Sequence, residues 1–113
     1  MFKVKTVIEN DLPILRIHGE ITATAEAEML ACYRDIPEQK KKRVIFDFSD
    51  TSFINSAGIS ILINLISRAS GQNYSVEFAG LNDHFRKVMD IVGLSDFVTI
   101  HPTLEMAMGE VVE

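Results

Sequence analysis

A single serine carries most of the chemistry that this 113-residue chain could offer. Ser56 stands in Ile54-Asn55-Ser56-Ala57-Gly58, between an apolar run and a stretch with helical periodicity. A strand–turn–Ser–helix arrangement can present a nucleophile. The nucleophile elbow, however, needs Gly two residues before the Ser, and Ile54 occupies that place. No base is evident, because His18, His84 and His101 are scattered, with no second His at helical spacing. C-x-x-C, P-loop and G-x-G-x-x-G patterns do not occur. Asp47 and Asp50 could bind a cation together with Ser56, yet two carboxylates without a third hard ligand make a poor site. The expectation is a protein that is not an enzyme and needs neither cofactor nor metal.

Ser56 is better suited to being modified. A Ser directly before a helix is expected to be its N-cap, the hydroxyl accepting a backbone N–H. A helix N-terminus offers unpaired N–H donors and the positive end of the dipole, so a phosphate there is stabilised. The fold would survive while the surface gained about -1.5 to -2 charges in one spot. Ala57 and Gly58 have almost no side chain, which would leave the first turn open to a docking protein. Gly in a helix costs about 1 kcal/mol relative to Ala, a cost that a bare approach surface would explain.

The elements that must position Ser56 follow from the hydrophobic periods. Phe2, Val4 and Ile8 alternate with lysines as a half-exposed strand, Asn10-Asp11 marks a turn, and Leu12 to Ile17 forms a second strand. Ala25, Met29, Cys32, Tyr33 and Ile36 then recur on one face of a helix stopped by Pro37. Val44 to Phe48 is nearly all apolar, the pattern of a central strand covered on both faces, and Ser49 to Asn55 reads as a loop. A second helix runs from Ser56 to about Ala69. Tyr74 to Ala79 is a fourth strand, and a helix over 83–92 turns Phe85, Val88, Met89 and Val92 inward before Gly93 stops it. Phe97 to Ile100 is a short last strand, and Pro102 opens a final helix with Leu104, Ala107, Met108 and Val111 inward. The order ββαβαβαβα predicts an α/β fold: a mixed β-sheet of about five strands packed against four helices.

Within the second helix, Ile59, Leu62, Ile63 and Ile66 make the expected core stripe, and Ser60, Asn64 and Ser67 the wet one. Ile61 and Leu65 widen the apolar arc to about 200°, beyond what a core-facing helix requires. They are read as apolar anchors for a partner beside Ser56.

Sixteen acidic residues against eleven basic ones give a net charge of -5, which argues against a nucleic-acid binder. The basic cluster Lys40 to Arg43 reads as a solvated loop. A lone Cys32 excludes an internal disulfide and fits a reducing compartment. The first eight residues alternate, unlike a signal peptide, and no apolar run approaches 18 residues. A cytoplasmic protein with no membrane contact is expected.

The stretch from Val44 to Ile59, with Asp47-Phe48-Ser49 and Asn55-Ser56-Ala57-Gly58-Ile59, resembles the signature of the STAS domain family. That signature is a strand ending in D-x-S, a short loop, then D-S-[SA]-G-[IL] opening a helix. Gly19-Glu20-Ile21 resembles the family's G-E-L/I-D segment, and Gly80 to Leu94 its helix and turn before the last strand. The likeness is strongest to the single-domain anti-sigma factor antagonists of bacteria, and it implies one STAS domain over residues 1–113. By that resemblance the unphosphorylated protein would bind an anti-sigma factor that is a serine kinase of GHKL type, freeing a sigma factor. The kinase would phosphorylate Ser56 and the complex would separate, and a PP2C-type phosphatase would restore the active form. Thr22, Asn55, Ser56, Ala57 and Gly58 would be contact residues, with Ile61 and Leu65 beside them. Asn55 stands where the family commonly has Asp before the serine, and Thr22 where it has Asp after G-E-L. Both departures remove a negative charge near the kinase contact. They leave open a non-sigma output, such as biofilm or secretion control, and a STAS subunit of a phospholipid-transport ABC complex.

Overall fold

Alternating apolar and polar residues produce an antiparallel hairpin of β1 (Phe2–Glu9) and β2 (Leu12–Ile21). Its turn residues, Asn10 and Asp11, both have positive φ (51° and 66°). A two-residue type I′ hairpin demands that conformation, and Asn and Asp tolerate it better than other side chains. The computed structural model describes residues 1–40 and 42–109. After the hairpin come α1 (Glu26–Arg34), β3 (Arg43–Ile54), α2 (Ser56–Gly71), β4 (Ser75–Ala79), α3 (Asp83–Ile91), β5 (Thr99–His101) and α4 (Leu104–Ala107). The strands lie in chain order in one five-stranded sheet, with β1 antiparallel to β2 and the other neighbours parallel. The expected element order and mixed sheet are present.

One face of the sheet carries the main core. Leu15 and Ile17 of β2, Val44, Phe46 and Phe48 of β3, and Phe78 of β4 meet Met29 of α1, Leu62 and Leu65 of α2, and Met89 of α3. Phe78 stacks on Phe46 at 5.9 Å and meets Phe48 edge-on at 4.9 Å, contacts worth about 0.5–1.5 kcal/mol each beyond the area they bury. The opposite face is covered by α4, where Ala107 packs on Ile14, Ile45 and Ala79. A polar staple holds that short helix. Arg43 donates to both Glu77 carboxylate oxygens (2.5 and 3.0 Å) and to the Ala107 carbonyl (2.5 Å), while His101 Nε2 lies 2.6 Å from Glu77. Burial alone would raise the Glu77 carboxyl. The hydrogen bonds and charges of Arg43 and His101 outweigh it and hold the group below the ordinary glutamate range.

Several expectations need correction. Ser49 to Ile54 is not a loop but the second half of β3, and β2 likewise continues to Ile21. The extended halves pair in parallel with register shifts after Arg16 and after Gly19, helped by the Thr51 hydroxyl donating to the Ile17 carbonyl at 3.0 Å. Val92 was expected to face inward and is exposed, as is Phe97, which was expected to open the last strand. The helix ends at Ile91, and Gly93, at φ 84°, turns the chain so that Leu94 alone of this segment's first residues goes inward. Accordingly β5 begins at Thr99 rather than Phe97. Val111 lies outside the described residues.

Candidate functional site

β3 runs into α2 with only Asn55 between them. Asn55 is extended (φ -100°, ψ -176°), and its side-chain oxygen accepts the Gly58 N–H at 2.9 Å. Its carbonyl accepts the Ile59 N–H at 3.0 Å. Asn55 is therefore the N-cap, and Ser56, expected to fill that role, is the first residue inside the helix. Asn caps as well as Ser, so the cap goes to whichever residue is extended. This leaves Ser56 exposed, with its hydroxyl taking no part in capping. The first N–H groups of α2 remain available beside it.

The end of β2 forms the other wall. Ile21 is in register with Ile54, and its carbonyl accepts the Asn55 N–H at 3.3 Å. Gly58 is buried directly over that carbonyl: a Cβ built there would lie 2.2 Å from the Ile21 oxygen. The expected reason for this glycine, a bare approach surface, is thus replaced by a backbone contact that seats the helix on the sheet. Thr22 follows Ile21 and is half-buried, its hydroxyl 3.0 Å from that of Thr24. A cleft of about 420 Å³ opens between the Ala23–Ala25 turn and α2, lined by Ala23, Glu26, Ala57, Ser60, Ile61 and Asn64. The structure thus brings Thr22, Asn55, Ser56 and Ala57 together at one end of the sheet, with Gly58 beneath them.

Ile61 and Leu65 are not exposed anchors on that surface, although Ile61 also lines the cleft. They are 4% and 0% exposed and lie in the main core. The helix is rotated from its expected phase, burying Gly58, Ile61, Leu62, Leu65, Ile66 and Ala69. Ile63, expected inside, is 43% exposed, and Ile59 is only half-buried. Gly58 helps to set the phase, since it lets the helix start close against the Ile21 carbonyl, and Ala69 is buried on the same side.

Asp47 is buried, and one of its carboxylate oxygens accepts the Ser49 N–H (3.1 Å) and hydroxyl (2.6 Å). The other oxygen faces Arg16 at 3.5 Å. The D-x-S pair therefore braces the middle of β3. Among the described residues no group of three or more His, Cys, Asp or Glu is placed to hold a metal ion. Nor is any helix among them long and apolar enough to cross a membrane.

A family model for the STAS domain matches residues 3–107. This chain belongs to the STAS domain family. Solved structures of other proteins share its fold at low sequence identity. An anti-sigma factor antagonist from Mycobacterium paratuberculosis is 17% identical, with 98% of this chain and 94% of that one covered at a TM-score of 0.83. The anti-sigma factor antagonist SpoIIAA in its unphosphorylated form is 18% identical, covering 96% of each chain at 0.69. Its phosphorylated form from Bacillus is 17% identical, covering 99% and 100% at 0.67. In this STAS domain one neighbour of the serine escaped the sequence reading. Phe53 is 47% exposed two residues before the cap. Its signal was available: it is an aromatic set apart from the apolar run of Val44 to Phe48 by the polar stretch Ser49-Asp50-Thr51-Ser52.

Proposed function

We propose that this STAS domain is a phosphorylation-controlled partner-switching regulator and not itself an enzyme. With Ser56 unmodified it binds an anti-sigma factor that is also a serine kinase of GHKL type. Phosphorylation of Ser56 ends the complex, and a PP2C-type phosphatase restores binding. The observation that carries this reading is the division of labour at the start of α2. Asn55 caps the helix, so the exposed Ser56 hydroxyl is free to accept a phosphate without losing a structural bond.

The contact set we propose is Thr22, Asn55, Ser56 and Ala57, joined by Phe53 as an aromatic anchor. The Asn55 departure from the family's Asp keeps the cap and removes only the charge, so it bears on the kinase's preference and not on the helix start. A phosphate here is tolerated by the free protein, because it meets helix N–H groups. In the complex it would be an unpaired charge within an interface, which costs several kcal/mol. SpoIIAA, a fold relative, has been solved in both phosphorylated and unphosphorylated forms.

The test is phosphopeptide mass spectrometry on the protein isolated from its own cells, combined with identification of what copurifies. A phosphate on Ser56 and a GHKL-type kinase in the complex are the expected results. An ABC-transporter ATPase in place of the kinase would move the protein to a transport complex. A Ser56 never phosphorylated in any growth phase would end the switch reading.

A further inference from the structure

The outward side of α2 continues well past Ser56. Ser56, Ser60, Ile63, Ser67 and Ser70 follow one another at helical spacing, a stripe about 21 Å long. All five are neutral, and Arg68 is the only charged residue in the sixteen of α2. A helix facing water on one side normally carries charge there. The comparison within this protein is direct: α1 has Glu26, Glu28 and Arg34, and α3 has Asp83, Arg86, Lys87 and Asp90. At its far end the stripe opens into an apolar groove of about 520 Å³ between α2 and the segment after α3. Ile63, Ile66, Val92, Leu94 and Phe97 line it, with Ser67 and Ser70 along the α2 edge. Phe97 is 76% exposed, and the adjoining Ile91 79%. These side chains serve no core, although a large aromatic usually ends up buried or in an interface.

We infer that this groove is the second half of the partner interface: one partner covers Ser56 and also inserts the apolar face of an amphipathic segment between α2 and Phe97. This rests on the reading of Ser56 as the centre of a partner-binding surface. The observation that fixes the occupant is continuity, because an uncharged stripe joins the serine to the groove with no charge to desolvate on the way. Depletion of charge with retained apolar anchors is the composition of an interface core. The segment is therefore apolar toward the groove and uncharged where it crosses α2.

The test uses the full chain in its own cells, with the photoreactive residue benzoylphenylalanine placed at position 97 in one strain and at position 60 in another. Irradiation followed by mass spectrometry should give the same protein as the adduct at both positions, and Ser56→Asp should abolish both adducts. An adduct at 60 alone overturns the groove and spares the Ser56 surface. An adduct at 97 alone removes the Ser56 surface and the continuity argument with it. Adducts at neither position refute both. A self-adduct at 97 makes the groove a contact between copies of this chain. An adduct at 97 that survives Ser56→Asp while the one at 60 is lost separates the two surfaces and overturns the inference.

Discussion

Replacing Gly58 by Ala tests the geometry on which the serine's position depends. Two opposite results are available from general rules. If the first turn of α2 were bare surface, Ala would stabilise the protein by up to about 1 kcal/mol through helix propensity. In the structure the new Cβ would lie 2.2 Å from the Ile21 oxygen and 3.0 Å from both the Ile21 carbonyl carbon and Cγ2. Non-bonded contact is favourable only near 3.5 Å, so α2 and the end of β2 would have to part by roughly 1 Å. The obstacle is backbone, and the same carbonyl holds the Asn55 N–H, so the strain is not relieved by a rotamer change. Overpacking of this kind costs about 1–3 kcal/mol or more, and the propensity gain offsets only part of it. Gly58→Ala is therefore expected to lose about 1–2 kcal/mol, read as a lower urea midpoint at unchanged m-value. Partner affinity should fall as well, because Ser56 and Thr22 stand on the two elements pushed apart. Unchanged or raised stability would refute the close approach and restore the bare-surface explanation.

Ser56→Ala should leave stability within a few tenths of a kcal/mol, whereas Asn55→Ala should lose about 1 kcal/mol as a missing cap; the reverse ranking in urea titrations would return the cap to Ser56. Ser56→Asp should melt near wild type and lose kinase binding by calorimetry, and tight binding by that variant would end the charge-switch account. Leu65→Ala should lose about 2–5 kcal/mol as a core truncation, and a melting point that did not move would return Leu65 to the surface. Glu77, whose carboxyl is held below its ordinary value of 4.5, contributes stability that is complete above that pH and is lost as pH falls through the lowered value. The acid limb of the stability curve below about pH 5 should thus be shallower in Glu77→Gln, and superimposable limbs would count against the staple on α4.

The sequence was legible where a pattern had one solution. The hairpin at Asn10-Asp11, the apolar run of β3 and the stop at Gly93 each followed from local backbone chemistry. The phase of α2 did not, because Ile59, Ile61, Leu62, Ile63, Leu65 and Ile66 spread over an arc of about 200°, wider than the core side needs. Which part of that arc turned inward was decided by the close contact of Gly58 with Ile21, and that is a tertiary fact. Ser49 to Ile54 misled for a related reason. Small polar residues read as a loop, yet a strand needs only a neighbour, and the continuation of β2 supplied one that local sequence does not announce. Placing Ser56 required only the motif, but knowing that its hydroxyl is free required seeing the Asn55 cap.

The one-residue link between β3 and α2 has a consequence for the kinetics of the proposed switch. Ser56 is fixed to the central strand on one side and to a buried helix on the other, with no hinge between them. If the serine is modified, no part of the fold has to rearrange, so no protein isomerisation adds a lag to the response. The signal then rises and decays only as fast as phosphate is added and removed, and the domain itself retains no record of its previous state. In the proposed switch, any memory, threshold or delay would come from the enzymes that add and remove the phosphate.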